Sequence, residues 1–182
     1  MRQPAAVAAA GPGAAGSPLV AGPECAADHA KRGMIIGARR VGSCMVFSVP
    51  ITVRGYELDI NGHLNQAVYL QYAEHARWEL LQAAGLPGDK MVAAGIGPVV
   101  LEQTIKYQRE LHLGDEVTVS CEFEFTGGKI FRMRQQIVKL DGTVSAEIVA
   151  VSGLLDLTAR KLIADPGAAL RAAADSPDVL GL

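Results

Sequence analysis

Two hydrophobic periods alternate along the chain, and they divide it into one long helical stretch and several strands. Over 66–86 the residues Tyr69, Tyr72, Ala73, Ala76, Leu80 and Ala83 recur every three or four positions, the spacing of one buried helix face. Gln71, Glu74, His75 and Gln82 lie mostly off that face. Asn65 is placed to cap this helix, and Gly85 followed by Pro87 to stop it. Upstream, FSVPITV over 47–53 predicts a strand that Pro50 makes irregular or an edge, and 55–65 predicts a polar loop. After Gly97 the period drops to two. In 99–108, Val99, Leu101, Ile105 and Tyr107 share one side, with Gln103 as the exception. Gly114-Asp115 turns the chain into the cleanest strand, 116–125, where Val117, Val119, Cys121, Phe123 and Phe125 alternate with polar residues. Gly127-Gly128 leads to a strand over 130–140, Asp141-Gly142 predicts a type I′ hairpin, and 145–157 forms the last strand. Short turns imply antiparallel neighbours, so the pattern predicts an α+β domain with one helix lying across an antiparallel sheet of about five strands.

Composition narrows the function classes. The chain has 182 residues, 49% of them hydrophobic, enough for one domain with a sizeable core and some chain left over. Lys and Arg number 17 against 19 Asp and Glu, a net charge of −2. That balance argues against nucleic acid as the main partner, because no excess positive charge is available to replace phosphate counterions. With aromatics at 5%, a stacking platform for single strands is disfavoured as well. Cys25, Cys44 and Cys121 form no CxxC pair and no His/Cys cluster with metal spacing, so reduced thiols in a cytoplasmic setting are expected and no metal site is. Cys121, on the apolar side of its strand, reads as a small buried hydrophobe.

Residues 1–44 differ from the rest. Ala, Gly and Pro dominate, and no charge occurs between Gln3 and Pro23. A membrane span needs roughly 20 strongly apolar residues, whereas large apolar residues here are limited to Val7, Leu19 and Val20 until the charged positions begin. The compact apolar core of a signal peptide is missing too. The absence of acids in the first 23 residues suits a plastid-type transit peptide, and the scarcity of Arg and Ser does not. We therefore expect a disordered tail over 1–44, a folded domain over 45–165, and a C-terminal tail or short helix over 166–182.

The loop before the helix carries the chemistry. It presents Asp59, then Gly62, His63, Asn65-Gln66, Tyr69 on the helix and Glu74-His75-Ala76-Arg77 about one turn later. This arrangement resembles the hotdog-fold acyl-CoA thioesterases of the 4-hydroxybenzoyl-CoA thioesterase type, which include bacterial acyl-CoA and plant acyl-lipid thioesterases. The resemblance continues through IKYQRELHLGDEVTV (105–119) and GGKIF (127–131), and covers about 46–164. It implies a hotdog fold, in which an antiparallel sheet wraps a long central helix. It also implies thioester hydrolysis without a metal or organic cofactor, on an acyl-CoA or acyl carrier protein substrate. Active sites completed between two subunits follow as well, hence a homodimer or homotetramer.

The residues suit that chemistry independently. Thioester hydrolysis needs a nucleophile at a carbonyl carbon and a donor for the oxyanion that develops. A helix N-terminus presents unpaired N–H groups and the positive end of a dipole. The resemblance gives Asp59 the role of nucleophile or of general base activating water, and maps the oxyanion amide to about Gln66. Gly62 leaves room for the substrate to approach the backbone. His63 is read as orienting Asp59 or substrate, or as a structural histidine. Asn65 reads as a cap rather than a catalytic group, and Tyr69 and Tyr72 as core residues or the lining of an acyl tunnel. Glu74 is a minor catalytic candidate that could equally pair with Arg77 at i,i+3. Some relatives carry a basic run for the phosphates of CoA. Here only Lys129 stands in that place, with Arg132 or Arg134 nearby, and a solvated strand face explains them as well. A hydratase would need D-x-N-P-x-H. The run Asp59-Ile60-Asn61-Gly62-His63 lacks the proline and brings its histidine one position early. A non-catalytic acyl-thioester binding protein is the remaining alternative.

Overall fold

The computed structural model describes residues 39–41 and 44–182. Of the tail expected over 1–44, residues 1–38, 42 and 43 lie outside the described residues, and Cys25 with them. Strand β1 (Arg39–Val41), within the segment expected as tail, pairs with β2 (Cys44–Thr52). After a loop comes helix α1 (Gln66–Ala83), then a short α2 (Gly88–Ala93) and strand β3 (Ile96–Tyr107). Strands β4 (Glu116–Glu124), β5 (Ile130–Lys139) and β6 (Val144–Asp156) follow as a meander. The chain ends with β7 (Lys161–Leu162) and α3 (Pro166–Ala173).

All pairings are antiparallel, and the sheet order is β1-β2-β4-β5-β6-β3, with β7 on β6. Consecutive strands β2 and β3 therefore sit on opposite sides of the meander, and α1 lies in the connection between them. Its buried face comprises Val68, Tyr69, Tyr72, Ala73, Ala76, Leu80 and Leu81. The start of α1 is set by Asn65, whose side chain accepts from the Ala67 N–H at 2.9 Å. Its end is set by Gly85 and Leu86, whose N–H groups return to the Gln82 and Leu81 carbonyls. In the last turn the buried face moves from Ala83, which is exposed, to Leu81 and Ala84. The reason is the C-terminal segment, which closes over this end: the Asp175 and Ser176 N–H groups donate to the Ala84 carbonyl, and Leu170 and Leu180 join the core. From the sheet, buried Gln135 donates Nε2 to the Ala73 carbonyl at 2.8 Å.

Two local expectations are corrected. The turn at Asp141-Gly142 is not type I′, which needs a positive φ at both central residues. Only Gly142 has one (φ 89°), and the Gly142 and Lys139 N–H groups bond the Lys139 and Thr143 carbonyls. This is a three-residue loop with glycine in the left-handed position, and it leaves a register shift between Ile137 and Val138. In β3 a bulge between Val100 and Glu102 breaks the alternation. Val100 stands opposite buried Ser152 and Gln103 opposite buried Ala150, while Leu101, the extra residue, is half-exposed.

Candidate active site

The loop before α1 is built on the same three-residue turn as the one at Gly142. The Asp59 N–H donates to the His63 carbonyl at 2.9 Å and the Gly62 N–H to the Asp59 carbonyl at 3.1 Å. Gly62 takes the left-handed position, φ 79°, with Leu58 and Leu64 bridging behind it. The backbone itself thus requires glycine here. Residues flanking such a turn stand opposite each other with side chains on one face. That places His63 Nδ1 at 3.4 Å from Asp59 Oδ2. Asp59 Oδ1 accepts the Asn61 N–H at 2.8 Å, and Oδ2 lies 3.5 Å from Asn61 Nδ2. The carboxylate is therefore held in one orientation while remaining 24% exposed.

This loop is fixed to the fold from beneath. Leu64 is buried and its N–H donates to the Leu111 carbonyl at 2.7 Å; the Asn65 N–H donates to the Glu57 carbonyl at 2.9 Å. The buried Glu57 carboxylate accepts from the Tyr72 hydroxyl, the Arg54 N–H and the Arg54 guanidinium. Burial alone would raise its pKa, but these hydrogen bonds outweigh it and hold the carboxyl below the usual range. Burial and the Glu57 carboxylate together push the Tyr72 phenol well above its ordinary value.

Asp59, Asn61, His63, Asn65, Gln66 and Tyr69 line one open pocket of about 530 Å³. Of the first three amides of α1, Ala67 is bonded to the Asn65 side chain and Val68 to the Asn65 carbonyl. The Gln66 N–H has no acceptor among the described residues. The opposite wall comes from residues the sequence reading did not assign to the site: Tyr107, Gln108, Arg109 and Glu110. Tyr107 donates its hydroxyl to the Gln66 carbonyl at 3.0 Å and meets the Tyr69 ring edge-on at 5.1 Å. Its place opposite the helix start depends on strand pairing and on the bulge in β3. The one signal in the sequence was Tyr107 sharing a strand face with Ile105.

Other candidates stand apart. Lys129 is exposed in the β4–β5 turn, at the end of the sheet where Ile130 pairs with Gly153. The Asp59 pocket lies by Tyr107, which pairs with Ala146, seven residues or roughly 23 Å along β6. Glu74 and Arg77 form no ion pair with each other among the described residues, and both line a different cavity. Among the described residues no group of three or more His, Cys, Asp or Glu is gathered closely enough to hold a metal ion. No helix of the described part is long and apolar enough to cross a membrane.

Comparison with known proteins gives the family of the chain. A family model described as the thioesterase-like superfamily matches residues 53–180. The long-chain acyl-CoA thioesterase FadM of Escherichia coli K12 is 34% identical over 118 residues, spanning 64% of this chain and 89% of FadM. The chloroplastic acyl-acyl carrier protein thioesterase ATL3 of Arabidopsis thaliana is 34% identical over 92 residues, 50% of this chain and 48% of ATL3. Among solved structures, the probable thioesterase YbaW of Escherichia coli superimposes with a TM-score of 0.60 at 33% identity, covering 64% of this chain and 88% of YbaW. The Staphylococcus aureus protein SAV2348, solved with CoA, has the same fold, with a TM-score of 0.65 at 21% identity over 74% of this chain and 85% of its own. The sheet, the loop that carries Asp59 and the family match over 53–180 together show that this chain belongs to the thioesterase-like superfamily of hotdog-fold thioester hydrolases.

Proposed function

We propose that the protein is an acyl-CoA thioesterase that uses Asp59 as nucleophile or general base and the Gln66 N–H as oxyanion donor. The observation that carries this reading is that an oriented carboxylate and an acceptor-free helix amide line the same open pocket. A thioester carbonyl whose oxygen rests on the Gln66 N–H gains the positive end of the α1 dipole as charge develops on that oxygen. Asp59 then attacks the carbonyl carbon, expelling CoA thiolate and leaving a mixed anhydride for water to open. Alternatively, it takes a proton from a water that attacks directly. His63 positions Asp59, and Tyr107 holds the Gln66 peptide from its carbonyl side. Arg109, on the pocket wall, is the cation for substrate phosphates that a single chain offers in place of Lys129. The likeness to ATL3 supports an acyl carrier protein thioester as the second reading.

A homo-oligomer is part of the proposal. β3 is the outer long strand of the sheet and exposes Val100, Leu101 and Tyr107, an unprotected edge that a second copy would cover. The test is thiol release from acyl-CoAs of graded length and from aromatic acyl-CoAs. The wild type should hydrolyse part of this panel, and Asp59→Asn should lose about 10²–10⁴-fold in rate while keeping its circular dichroism and assembly state. Single turnover in ¹⁸O-water tests the nucleophilic role, because label retained in Asp59 requires an anhydride that water opens at the Asp59 carbonyl. Unchanged activity in Asp59→Asn would sink the assignment, and no release from any CoA ester would move the test to acyl carrier protein esters.

A further inference from the structure

Residues 57–59 run antiparallel to 63–65. Leu58 and Leu64 form the bridge, the Asp59 N–H bonds the His63 carbonyl at one end, and the Asn65 N–H bonds the Glu57 carbonyl at the other. This short ladder joins the turn that carries Asp59 to the cap of α1, whose first amide is that of Gln66. It therefore sets how the Asp59 carboxylate and the Gln66 N–H lie relative to each other. A two-stranded ladder with two main-chain bonds is marginal in water by itself. The 63–65 side is anchored by the Leu64 N–H on the Leu111 carbonyl, which leaves the 57–59 side to be fixed. Glu57 fixes it. Its carboxylate is buried and accepts from the Tyr72 hydroxyl, the Arg54 N–H at 2.7 Å and Arg54 Nη1 at 3.1 Å. Tyr72, also buried, stands six residues beyond Gln66, roughly 9 Å along α1. One residue thus holds the helix cap through its carbonyl and the helix body through its side chain.

A buried carboxylate is a costly way to fasten a loop, and well-packed apolar side chains would stabilise it as well or better. The Arg54 side chain is half-exposed, so its ion pair offsets little of that cost. What the carboxylate adds is direction. It only accepts, and three donors converge on it. An amide in its place would turn an N–H toward one of them. We propose that Glu57 is a positioning residue: through Tyr72 it fixes the ladder so that the Asp59 carboxylate and the Gln66 N–H face the same substrate carbonyl. This rests on the reading of Asp59 and Gln66 as the chemical groups. Glu57 itself lies beneath the loop and does not line the pocket.

The test compares Glu57→Gln, Tyr72→Phe and the wild type as full-length proteins in thiol release. Glu57→Gln should lower kcat about 10–100-fold, the scale of a misplaced reacting group, with KM within about twofold. Tyr72→Phe should lower kcat a few fold, and the double variant should be no slower than Glu57→Gln alone. Leu180→Ala, buried in the C-terminal segment, is the control for lost stability and should keep its kcat. Hydrogen exchange over 58–66 should be at least tenfold faster in Glu57→Gln, with the last turn of α1 unchanged. Unchanged kcat or unchanged exchange in a folded Glu57→Gln overturns the proposal. So does a rise in KM alone, or a loss of kcat that Leu180→Ala matches at equal loss of melting temperature. Wild-type protein that releases no thiol from any thioester would remove the thioesterase reading, and exchange over 58–66 would still decide whether Glu57 holds the ladder. Should Glu57→Gln not fold, Tyr72→Phe decides by the same kcat and exchange measurements.

Discussion

The two halves of α1 handle polar groups in opposite ways. At the N-terminal end, Asp59, Asn61, His63 and Asn65 bond one another or the backbone beside open solvent, and the first amide is left free. In the second half, Arg77 and Ser152 keep buried donors unpaired among apolar walls. An unpaired donor beside water is satisfied by water, whereas a buried one bears its full desolvation cost. The free amide at the first end is therefore inexpensive to keep. The unpaired donors at the other end bear that cost in a single chain.

The comparison can be broken by mutation, and the loss of activity in Asp59→Asn set out above is the largest effect expected. Phe131→Ala strikes the second half, where the Phe123, Phe125 and Phe131 rings pack with centroids 5.2 to 6.1 Å apart. Removing the fully buried ring should cost about 3–5 kcal/mol, read by chemical denaturation. A cost below about 1 kcal/mol would mean that the neighbouring side chains close freely over the missing ring.

Beneath the active-site loop, Tyr72→Phe removes a buried hydrogen bond to Glu57 and should cost about 1–3 kcal/mol. Glu57 also predicts a pH dependence. Its carboxyl is held below its unfolded value of about 4.3, so the unfolded chain binds the proton first and stability falls as pH drops. The contribution is present above that value and lost as pH falls through the folded pKa. With Tyr72→Phe that pKa moves up toward the unfolded value, so less stability is lost on acidification and the gap in melting temperature between the two proteins should narrow as pH falls. Melting temperatures between pH 3 and 7 measure this, and parallel pH profiles for the two proteins would refute it.

Asn65→Ala removes the α1 cap at about 1 kcal/mol, a fall of a few degrees in melting temperature. The smallest effect is expected from Tyr107→Phe, which keeps the ring against Tyr69 and deletes only the bond to the Gln66 carbonyl. A net bond of about 0.5–1.5 kcal/mol corresponds to a few-fold lower kcat with little change in KM. A change in KM alone would make Tyr107 a substrate contact rather than a support for the oxyanion amide.

Periodicity was enough to place α1, its cap at Asn65, its stop at Gly85 and the strands on either side of Cys121, because each depends on residues a few positions apart. The grouping of Asp59, Gly62 and His63 was legible for the same reason: they belong to one five-residue turn. Burial of Cys121 was also predicted, and its surroundings push the thiol up to about 12, so it behaves as the small hydrophobe its strand position implies. What the chain alone did not reveal depends on distant pairings. The β3 bulge shifts the alternation after Val100, sheet register brings Tyr107 over the helix start, and the C-terminal segment swaps Ala83 for Leu81 and Ala84. The cavity holding Arg77 and Ser152 is the furthest from sequence. An i,i+3 spacing suggests that Glu74 and Arg77 pair, but packing buries Arg77 Nη1 and leaves Glu74 outside. Local spacing sets which groups are near one another along the chain. Only the assembled core decides which of them keep their water.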